Sequence, residues 1–186
     1  MSPQQPNKGK LIILDRDGVI NHDSDDYIKS PEEWFPIEGS AEAIAKLNAA
    51  GYQVGVATNQ SGIGRGFYDE SVLTTIHAKM DNHLAEHNAH IDKLVFCPDH
   101  PNNPGPNRKP NPGMALQLLE HFNADPAETT FVGDTISDVK CAIAAGCKPI
   151  LVKTGKGERT LANPELSQFD IPVFDDLSSY VKTMLG

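Results

Sequence analysis

The chain of 186 residues has few of the features that stabilise secreted or membrane-bound proteins. It contains three cysteines, an odd number that cannot form a complete disulfide framework and that suits a reducing compartment. The longest early apolar run, Leu11–Leu14, is far too short to cross a bilayer. The first ten residues lack the apolar stretch of a signal peptide. We therefore expect a cytoplasmic protein without a membrane partner.

Positive charge is also scarce. The sequence holds 16 lysine and arginine residues against 25 aspartate and glutamate residues, a formal net charge of −9. General nucleic-acid binding needs clustered cations that neutralise phosphates, so we expect no nucleic-acid partner. A small phosphorylated substrate remains compatible with this charge, because a few local cations and a metal ion can set the field of one pocket.

Short apolar runs alternate along the chain with helical patterns. This order predicts an α/β fold, a Rossmann-like open parallel sheet flanked by helices on both faces. The runs are almost continuously apolar, as is typical of strands that helices cover on both sides. The predicted strands are Lys10–Leu14, Gln53–Ala57, Leu94–Phe96, Thr130–Val132 and Pro149–Val152.

The helical patterns fall between these strands and after the last one. A helix over Glu70–Glu86 is predicted from apolar residues at helical spacing, with Asp69 as its N-cap. The other predicted helices span about Ala41–Ala50, follow Pro112, begin near Ser137, and run over Asp176–Leu185.

Two stretches do not follow the alternation, namely Asn21–Pro36 and Pro98–Pro112. Neither separates two core-sized segments, so we interpret both as ordered functional loops. We predict a flexible segment over residues 1–9 and one domain over residues 10–186. No run between the predicted strands is long enough for a large cap domain. We expect a monomer.

The first chemically informative segment is Asp15-Arg16-Asp17-Gly18, directly after a predicted strand. Two carboxylates there are costly to bury unless a cation accompanies them, and a divalent metal is best served by oxygen ligands. Asp15 can then attack phosphorus, and Asp17 can exchange protons with the leaving oxygen and with water. The alternative is a turn capped by an aspartate, with Gly18 at positive φ.

Two further segments offer groups that bind phosphate. The hydroxyl and backbone N–H groups of 58–62 follow the second predicted strand, and Arg65 comes soon afterwards. Arg108 and Lys109 precede a predicted helix, whose N-terminus adds to an anion site. The alternatives are an ordinary polar turn and a solvated surface pair of cations.

The fourth segment, Gly133–Asp138, follows the strand that ends at Val132. Asp134 can complete a metal site with Asp15 and the backbone carbonyl of Asp17. Asp138, in the first helical turn, can contact the metal through water or orient its neighbours. In a parallel sheet such segments gather in one crevice beyond the carboxyl ends of the strands.

The order of these four segments resembles the haloacid dehalogenase superfamily of phosphohydrolases, over about Lys10–Val152. The resemblance implies Mg²⁺ as cofactor and an aspartyl-phosphate intermediate. It implies Asp15 as nucleophile and Asp17 as general acid and base. Thr58 and Lys109 are implied as phosphate stabilisers, and Asp15, Asp17 and Asp134 as the metal site.

Longer matches around three of these segments resemble the D-glycero-D-manno-heptose 1,7-bisphosphate 7-phosphatases. These matches are Asp15–Asn21, Thr58–Ile63 with Arg65-Gly66, and Arg108–Pro110 with Pro112–Met114. The resemblance implies removal of the 7-phosphate from a phosphorylated sugar during the synthesis of nucleotide-activated heptose for lipopolysaccharide or surface glycans. The substrate-binding residues implied are Arg16, Asp23, Asn59, Gln60, Ser61, Arg65 and Arg108.

The sequence departs from this pattern at two places. That family usually carries a zinc loop of four Cys and His ligands, whereas this chain has Asp99 at the histidine position and Gly105 and Asn107 at the later cysteine positions. We therefore expect no structural zinc, which needs about four nitrogen or sulfur ligands. Thr135 stands where these enzymes often place a lysine.

The sequence leaves three alternatives open. A phosphatase for histidinol phosphate or another small sugar phosphate would use the same catalytic residues. A polynucleotide 3′-phosphatase shares the catalytic core, but a net charge of −9 disfavours binding to a polyanionic nucleic acid. A non-catalytic binding module of the same fold would be expected to lack one of the carboxylates.

Overall fold

The structure, a computed structural model, describes residues 9–186. The predicted flexible segment over residues 1–9 therefore lies outside the described residues, apart from Gly9. The described residues contain one sheet of six parallel strands in the order β3-β2-β1-β4-β5-β6. The strands are β1 (Leu11–Leu14), β2 (Gln53–Asn59), β3 (Lys93–Cys97), β4 (Thr130–Gly133), β5 (Lys148–Val152) and β6 (Val173–Phe174).

Seven α-helices surround the sheet in the described part of the chain. They are α1 (Ser40–Ala49), α2 (Ser61–Gly64), α3 (Glu70–Glu86), α4 (Gly113–His121), α5 (Ile136–Ala144), α6 (Gly157–Leu161) and α7 (Leu177–Leu185). Short 3₁₀ turns lie at Pro31–Glu33, Pro126–Glu128 and Pro164–Gln168.

The central strand β1 shows why both faces of the sheet are covered. All four of its residues are buried, and they alternate between two separate apolar cores. Ile12 and Leu14 pack on the side of α1, α3 and α7, whereas Leu11 and Ile13 pack on the side of α4 and α5. Each fully buried aliphatic side chain contributes about 1.5–3 kcal/mol, so the strand holds the two layers together.

The predicted α/β fold with a parallel sheet is confirmed. The helix Glu70–Glu86 has the predicted bounds, and the Asp69 carboxylate caps it by accepting a hydrogen bond from the N–H of Val72 at 2.9 Å. The sequence did not predict β6, which has two residues, or the short helices α2 and α6. Elements of two to five residues are too short to show a hydrophobic period.

The strand order brings the segments after β1, β2 and β4 to one edge of the sheet, because these strands are neighbours. The N–H of Asp15 donates to the carbonyl of Val132 in β4 at 2.9 Å, so β1 and β4 stay paired up to this edge. Within residues 9–186 no large cap domain is inserted between the strands. None of the helices described there combines the length and apolar character needed to traverse a membrane.

Candidate active site

A cavity of about 390 Å³ lies at this edge of the sheet. Most of the site residues predicted from the sequence line it. These are Asp15, Asp17, Asp23, Asn59, Gln60, Ser61, Arg65, Arg108, Lys109 and Asp134.

Asp15 projects from the end of β1 with one oxygen held and one oxygen available. Its Oδ1 accepts a hydrogen bond from the N–H of Arg16 at 2.7 Å and lies 3.0 Å from Lys109 Nζ. Its Oδ2 has no hydrogen-bond partner among the described residues. Burial, with Asp138 nearby, raises the pKa of Asp15 well above its ordinary value. The free oxygen on a fixed side chain suits in-line attack on phosphorus.

Lys109 lies at the centre of the charged groups and is almost completely buried. Its Nζ donates to the carbonyl of Ala57 at 2.9 Å and to Asp138 Oδ1 at 2.7 Å. Burial acts to lower its pKa, but Asp138 and Asp15 raise it above the ordinary value, so the amine stays charged. Lys109 also exchanges two backbone hydrogen bonds of 3.1 Å with the side-chain amide of Asn59. The amide of Asn59 thus fixes Lys109 against β2.

Asp138 is fully engaged with protein groups. Its Oδ1 accepts from Lys109, and its Oδ2 accepts from the backbone N–H groups of Asp134 and Thr135, both at 3.1 Å. The Thr135 hydroxyl donates to the same oxygen at 2.9 Å and accepts from the N–H of Asp138 at 3.3 Å. Thr135 and Asp138 form the capping box of α5. Asp138 therefore anchors Lys109 to the start of this helix.

Asp134 has one satisfied oxygen and one orphaned oxygen. Its Oδ2 accepts from the N–H of Lys156 at 2.8 Å, whereas its buried Oδ1 has no partner. Two glycines leave room for this carboxylate. A Cβ at Gly18 would lie 2.0 Å from Asp134 Oδ2, and a Cβ at Gly155 would lie 2.3 Å from it. Both glycines have positive φ, 84° and 59°, so the tight turns and the close approach both require glycine.

The carboxylates fit a divalent cation. Asp15, Asp134 and Asp138 each place an oxygen within 4.8 Å of the others. Burial and the Asp138 charge raise the pKa of Asp134 to about 8, so the cluster resists full ionisation as it stands. A bound cation removes this penalty. Because both Asp138 oxygens are engaged, the free oxygens of Asp15 and Asp134 are the ones available to a metal.

Asp17 lies beside Asp15 in a network of donors. Its Oδ1 accepts from Arg16 Nη2 at 2.8 Å and from Asn21 Nδ2 at 2.9 Å, and its Oδ2 accepts from Gln60 Nε2 at 3.0 Å. The Tyr68 hydroxyl donates to Gln60 Oε1 at 2.6 Å and so fixes the orientation of that amide. Burial acts to raise the pKa of Asp17, but Arg16 and the hydrogen bonds hold it below the ordinary value.

Comparison with known proteins assigns the family. The HAD-hydrolase-like family model matches residues 106–179. A D-glycero-beta-D-manno-heptose-1,7-bisphosphate 7-phosphatase of Pseudomonas aeruginosa is 51% identical over 175 residues, covering 94% of this chain and 97% of that protein. This chain belongs to the HAD-like hydrolases. The enzyme of the same name from Pseudomonas putida is 48% identical, covering 95% of this chain and 99% of that protein.

The HAD-like fold extends to solved structures. A D,D-heptose 1,7-bisphosphate phosphatase from B. bronchiseptica, crystallised with magnesium and phosphate, superposes with a TM-score of 0.89 at 43% identity. The match covers 95% of this chain and 98% of that one. A phosphatase described in the same words from Burkholderia thailandensis has a TM-score of 0.72 at 41% identity, covering 95% of this chain and 99% of that one.

Three of the predicted site residues, Arg16, Thr58 and Asp138, do not line the cavity of this HAD-like site. Arg16 is fully buried behind Asp17, and its Nη1 lies 3.1 Å from His77 Nε2, so the structure places it where it orients Asp17. The expectation that Arg16 binds substrate stays a prediction. Thr58 is also fully buried, and its hydroxyl accepts from Gln60 Nε2 at 2.9 Å. Its predicted contact with phosphate stays a prediction.

Several residues of the cavity wall were not among those predicted from the sequence. Lys156 lines the cavity and pairs with Asp23, their Nζ and Oδ2 atoms 3.1 Å apart. Tyr27, which also lines it, has positive φ and packs its ring against Phe67 and the Arg65 guanidinium. The glycines on either side of Lys156 were the sequence feature that could have drawn attention to it, but nothing in the sequence places this lysine opposite Asp23.

The residues compared above with a zinc loop form hydrogen bonds. Asp99 Oδ2 accepts from the N–H of Gly105 at 2.8 Å, and Asn107 Oδ1 accepts from Gln117 Nε2 at 2.9 Å. His100 Nδ1 accepts from the N–H of Asn102 at 3.1 Å. These contacts are a source of rigidity for the loop that depends on no metal. The absence of structural zinc stays a prediction that metal analysis can check.

Proposed function

We propose that this chain removes the 7-phosphate of D-glycero-D-manno-heptose 1,7-bisphosphate by transferring it to Asp15. The observation that carries the proposal is the state of the Asp15 carboxylate. One oxygen is fixed by Lys109 and the N–H of Arg16, and the other is free at the cavity. The names and lengths of the relatives, which this chain matches almost end to end, support the choice of substrate.

In the first step the free oxygen of Asp15 attacks the phosphorus atom. The bond between phosphorus and the sugar oxygen breaks, and the leaving alkoxide takes a proton from Asp17. Lys109 stabilises the negative charge on the transferring group. Asp17 starts as a carboxylate because of its low pKa. The phosphoryl dianion beside it raises that pKa, since like charges disfavour ionisation, and so lets the carboxyl carry the required proton.

In the second step water attacks the phosphorus of the phosphorylated Asp15. Asp17, now a carboxylate again, removes a proton from that water. The bond between phosphorus and the Asp15 oxygen breaks, which releases inorganic phosphate and restores the free carboxylate. The donors on Asp17 keep it in place through both steps, because Arg16 and Asn21 hold its Oδ1 and Gln60 holds its Oδ2.

Asp15 and Asp134 would hold Mg²⁺ through their free oxygens, with the Asp17 backbone carbonyl as the third expected protein ligand. The bound ion supplies charge neutralisation at the phosphoryl oxygens and allows Asp15 and Asp134 to be ionised together. The buried, unpartnered Asp134 Oδ1 is the feature that favours this assignment.

Arg65 and Arg108 suit the second phosphate of a bisphosphate. Both line the cavity, and neither has a carboxylate partner within ion-pair distance among residues 9–186. Arg108 Nη1 donates to the carbonyl of Asp99 at 3.2 Å, and the Arg65 guanidinium lies over the ring of Tyr27. Two oriented guanidinium groups without a counter-ion favour an anionic ligand.

A phosphate-release screen with Mg²⁺ tests this proposal. The substrates are heptose 1,7-bisphosphate, heptose 7-phosphate, histidinol phosphate, other sugar monophosphates and a 3′-phosphorylated oligonucleotide. We expect the highest kcat/KM with the heptose bisphosphate. A higher kcat/KM with histidinol phosphate or the oligonucleotide would contradict the substrate assignment and leave the chemistry at Asp15 in place.

We infer further that the enzyme acts as a cytoplasmic monomer without a nucleic-acid partner. Cys97, Cys141 and Cys147 are all free and buried, which suits a reducing compartment. Large exposed apolar residues belong to separate elements, for example Leu116 in α4 and Ile143 in α5. Light scattering coupled to size-exclusion chromatography measures the mass in solution, and a dimer would contradict the monomer assignment.

A further inference from the structure

The segment between β5 and α6 reaches from the reaction centre to the cavity rim. The N–H of Lys156 donates to Asp134 Oδ2 at 2.8 Å, so the backbone of this residue is fixed beside the carboxylate cluster. The side chain of Lys156 then extends along the cavity to Asp23, 3.1 Å away, in the loop after β1. Among the described residues, only Lys156 contacts both the Asp134 carboxylate and a side chain of this loop.

The pair of Lys156 and Asp23 is only partly saturated. The ammonium group has three donors and one recorded acceptor, Asp23 Oδ2. Asp23 Oδ1 has no hydrogen-bond partner within the described residues. Burial acts to lower the pKa of Lys156, but Asp23 and Asp134 raise it above the ordinary value, so the amine is charged at neutral pH. The cavity wall thus presents spare donors next to a spare acceptor.

This combination matches a sugar better than it matches a phosphate. Each hydroxyl of a sugar both donates and accepts, so neighbouring hydroxyls can bridge an ammonium donor and a carboxylate acceptor. A phosphate offers only acceptors to such a pair and is repelled by Asp23. The guanidinium groups of Arg65 and Arg108, which have no carboxylate partner in the described chain, are the better site for the second phosphate.

We propose that Lys156, acting with Asp23, is a specificity-determining residue that binds the hydroxyl groups of the sugar between its two phosphates. The inference rests on the proposed function for the identity of the sugar. It adds a residue from the segment after β5 to a site otherwise built from the segments after β1, β2, β3 and β4.

A second ion pair joins the same two segments and provides a comparison. Arg159 donates to both oxygens of Asp25, at 2.9 and 2.7 Å, and it does not line the cavity. If the segments need only to be held together, loss of Arg159 and loss of Lys156 should have similar effects. If Lys156 contacts the sugar, only its loss should change selectivity among substrates.

The test compares Lys156→Met with Lys153→Met, a matched control on the same segment. Lys153 pairs with Asp175 at 2.8 Å, its side chain is about as exposed as that of Lys156 (40% against 37%), and it does not line the cavity. Arg159→Met is the third variant, and Lys156→Arg is the conservative one. For each, kcat and KM are measured with heptose 1,7-bisphosphate, heptose 7-phosphate and p-nitrophenyl phosphate, which has no sugar hydroxyls.

For Lys156→Met we expect the ratio of kcat/KM between each heptose phosphate and p-nitrophenyl phosphate to fall about ten- to hundredfold, as for loss of hydrogen bonds to a charged group. The loss should appear mainly in KM, to a similar extent with both heptose phosphates, and Lys156→Arg should restore part of it. Lys153→Met and Arg159→Met should keep the parent ratio.

Three results would overturn the inference. A loss confined to the bisphosphate would assign Lys156 to the second phosphate. An equal loss with all three substrates, or the same loss in Arg159→Met, would reduce it to a structural contact. An unchanged ratio in a folded Lys156→Met, checked by its melting temperature, would remove it from substrate binding. Failure of the proposed function is read separately, because the parent would then prefer a phosphate without the heptose.

Discussion

The inner and outer walls of the cavity are held together in different ways. The inner wall, formed by Asp15, Lys109, Asp134 and Asp138, is buried, and its contacts run between strand ends and helix starts. The outer wall, formed by residues 22–28, is connected to its neighbours through exposed ion pairs such as that of Arg159 with Asp25. Buried charges are costly to disturb, whereas exposed pairs contribute little. We therefore expect inner-wall residues to control phosphoryl transfer and outer-wall residues to affect the choice of substrate.

The largest effect should come from the nucleophile on the inner wall. Asp15→Asn removes the attacking carboxylate, and we expect turnover to fall about 10⁴-fold or more, as for other covalent catalysts that lose the nucleophile. Phosphate release under saturating substrate measures it. Circular dichroism is the control for the fold. Activity near that of the parent would show that phosphoryl transfer does not pass through Asp15.

Lys109 should matter for both activity and stability. Lys109→Met leaves Asp15 and Asp138 buried without their cation, and breaking such a pair costs about 3–5 kcal/mol of unfolding free energy. Turnover should fall about 10²–10³-fold with loss of the charge that stabilises the transferring group. Chemical denaturation and kinetics measure the two effects. A variant as stable as the parent would mean that the carboxylates do not depend on Lys109.

Asp134 should affect stability in opposite directions with and without magnesium. At a Mg²⁺ concentration of about 100 times Kd, the unfolding free energy of the parent should rise by about 2.7 kcal/mol, and that of Asp134→Asn should hardly change. Burial raises the pKa of Asp134 to about 8. The unfolded chain therefore loses this proton at a lower pH than the metal-free fold does, and the fold becomes less stable as the pH rises towards 8. Asp134→Asn should therefore melt higher than the metal-free parent at pH 8. A lower melting temperature there would contradict the account.

Substitution of His77, which lies behind the inner wall, should have a smaller effect, seen in the pH dependence of stability. Burial and then the Arg16 charge lower its pKa from 6.5 to about 4. As the pH falls, the unfolded chain binds a proton at His77 at a higher pH than the folded protein does. The stability contributed by the neutral His77 ring is therefore present above pH 6.5 and is lost as the pH falls towards 4. His77→Gln should reduce the proton uptake on unfolding in this window by up to about one proton. Equal slopes of unfolding free energy against pH would show that His77 is not buried as a neutral ring.

The smallest effect should come from the outer wall. Arg159→Met removes an exposed ion pair, and we expect kcat/KM for the heptose bisphosphate to stay within about twofold of the parent, because screened surface pairs contribute little. The melting temperature should remain close to that of the parent. A loss of activity as large as that of Lys109→Met would show that the outer wall controls the chemistry and would break the comparison.

The inner wall could be predicted because its signals are local. An apolar strand followed by acidic residues predicts a strand-end site, and Asp15, Lys109 and Asp134 all line the cavity as expected. The neighbouring positions of β1, β2 and β4 then follow from the general behaviour of parallel sheets.

Asp23 in the outer wall was among the predicted site residues, but the contacts of this wall could not be predicted because they join residues far apart in the chain. Lys156 and Asp23 are separated by more than a hundred positions, and no periodicity relates them. The burial of Arg16 was missed for a related reason. Only the family resemblance implied a role for Arg16 in substrate binding, and nothing in the sequence shows that its guanidinium turns inward to Asp17 and His77. Direction of a side chain at a strand end depends on packing that the sequence does not display.

The central claim is that the phosphoryl group passes through Asp15, and trapping the intermediate tests it most directly. The parent enzyme is mixed with heptose 1,7-bisphosphate and Mg²⁺, quenched in acid within the first turnover, and reduced with borohydride, which converts an acyl phosphate of aspartate into homoserine. Mass spectrometry of the peptide that contains residue 15 then locates the product. We expect homoserine at position 15 and at no other aspartate. Homoserine at another position, or an unmodified Asp15 during active turnover, would contradict it.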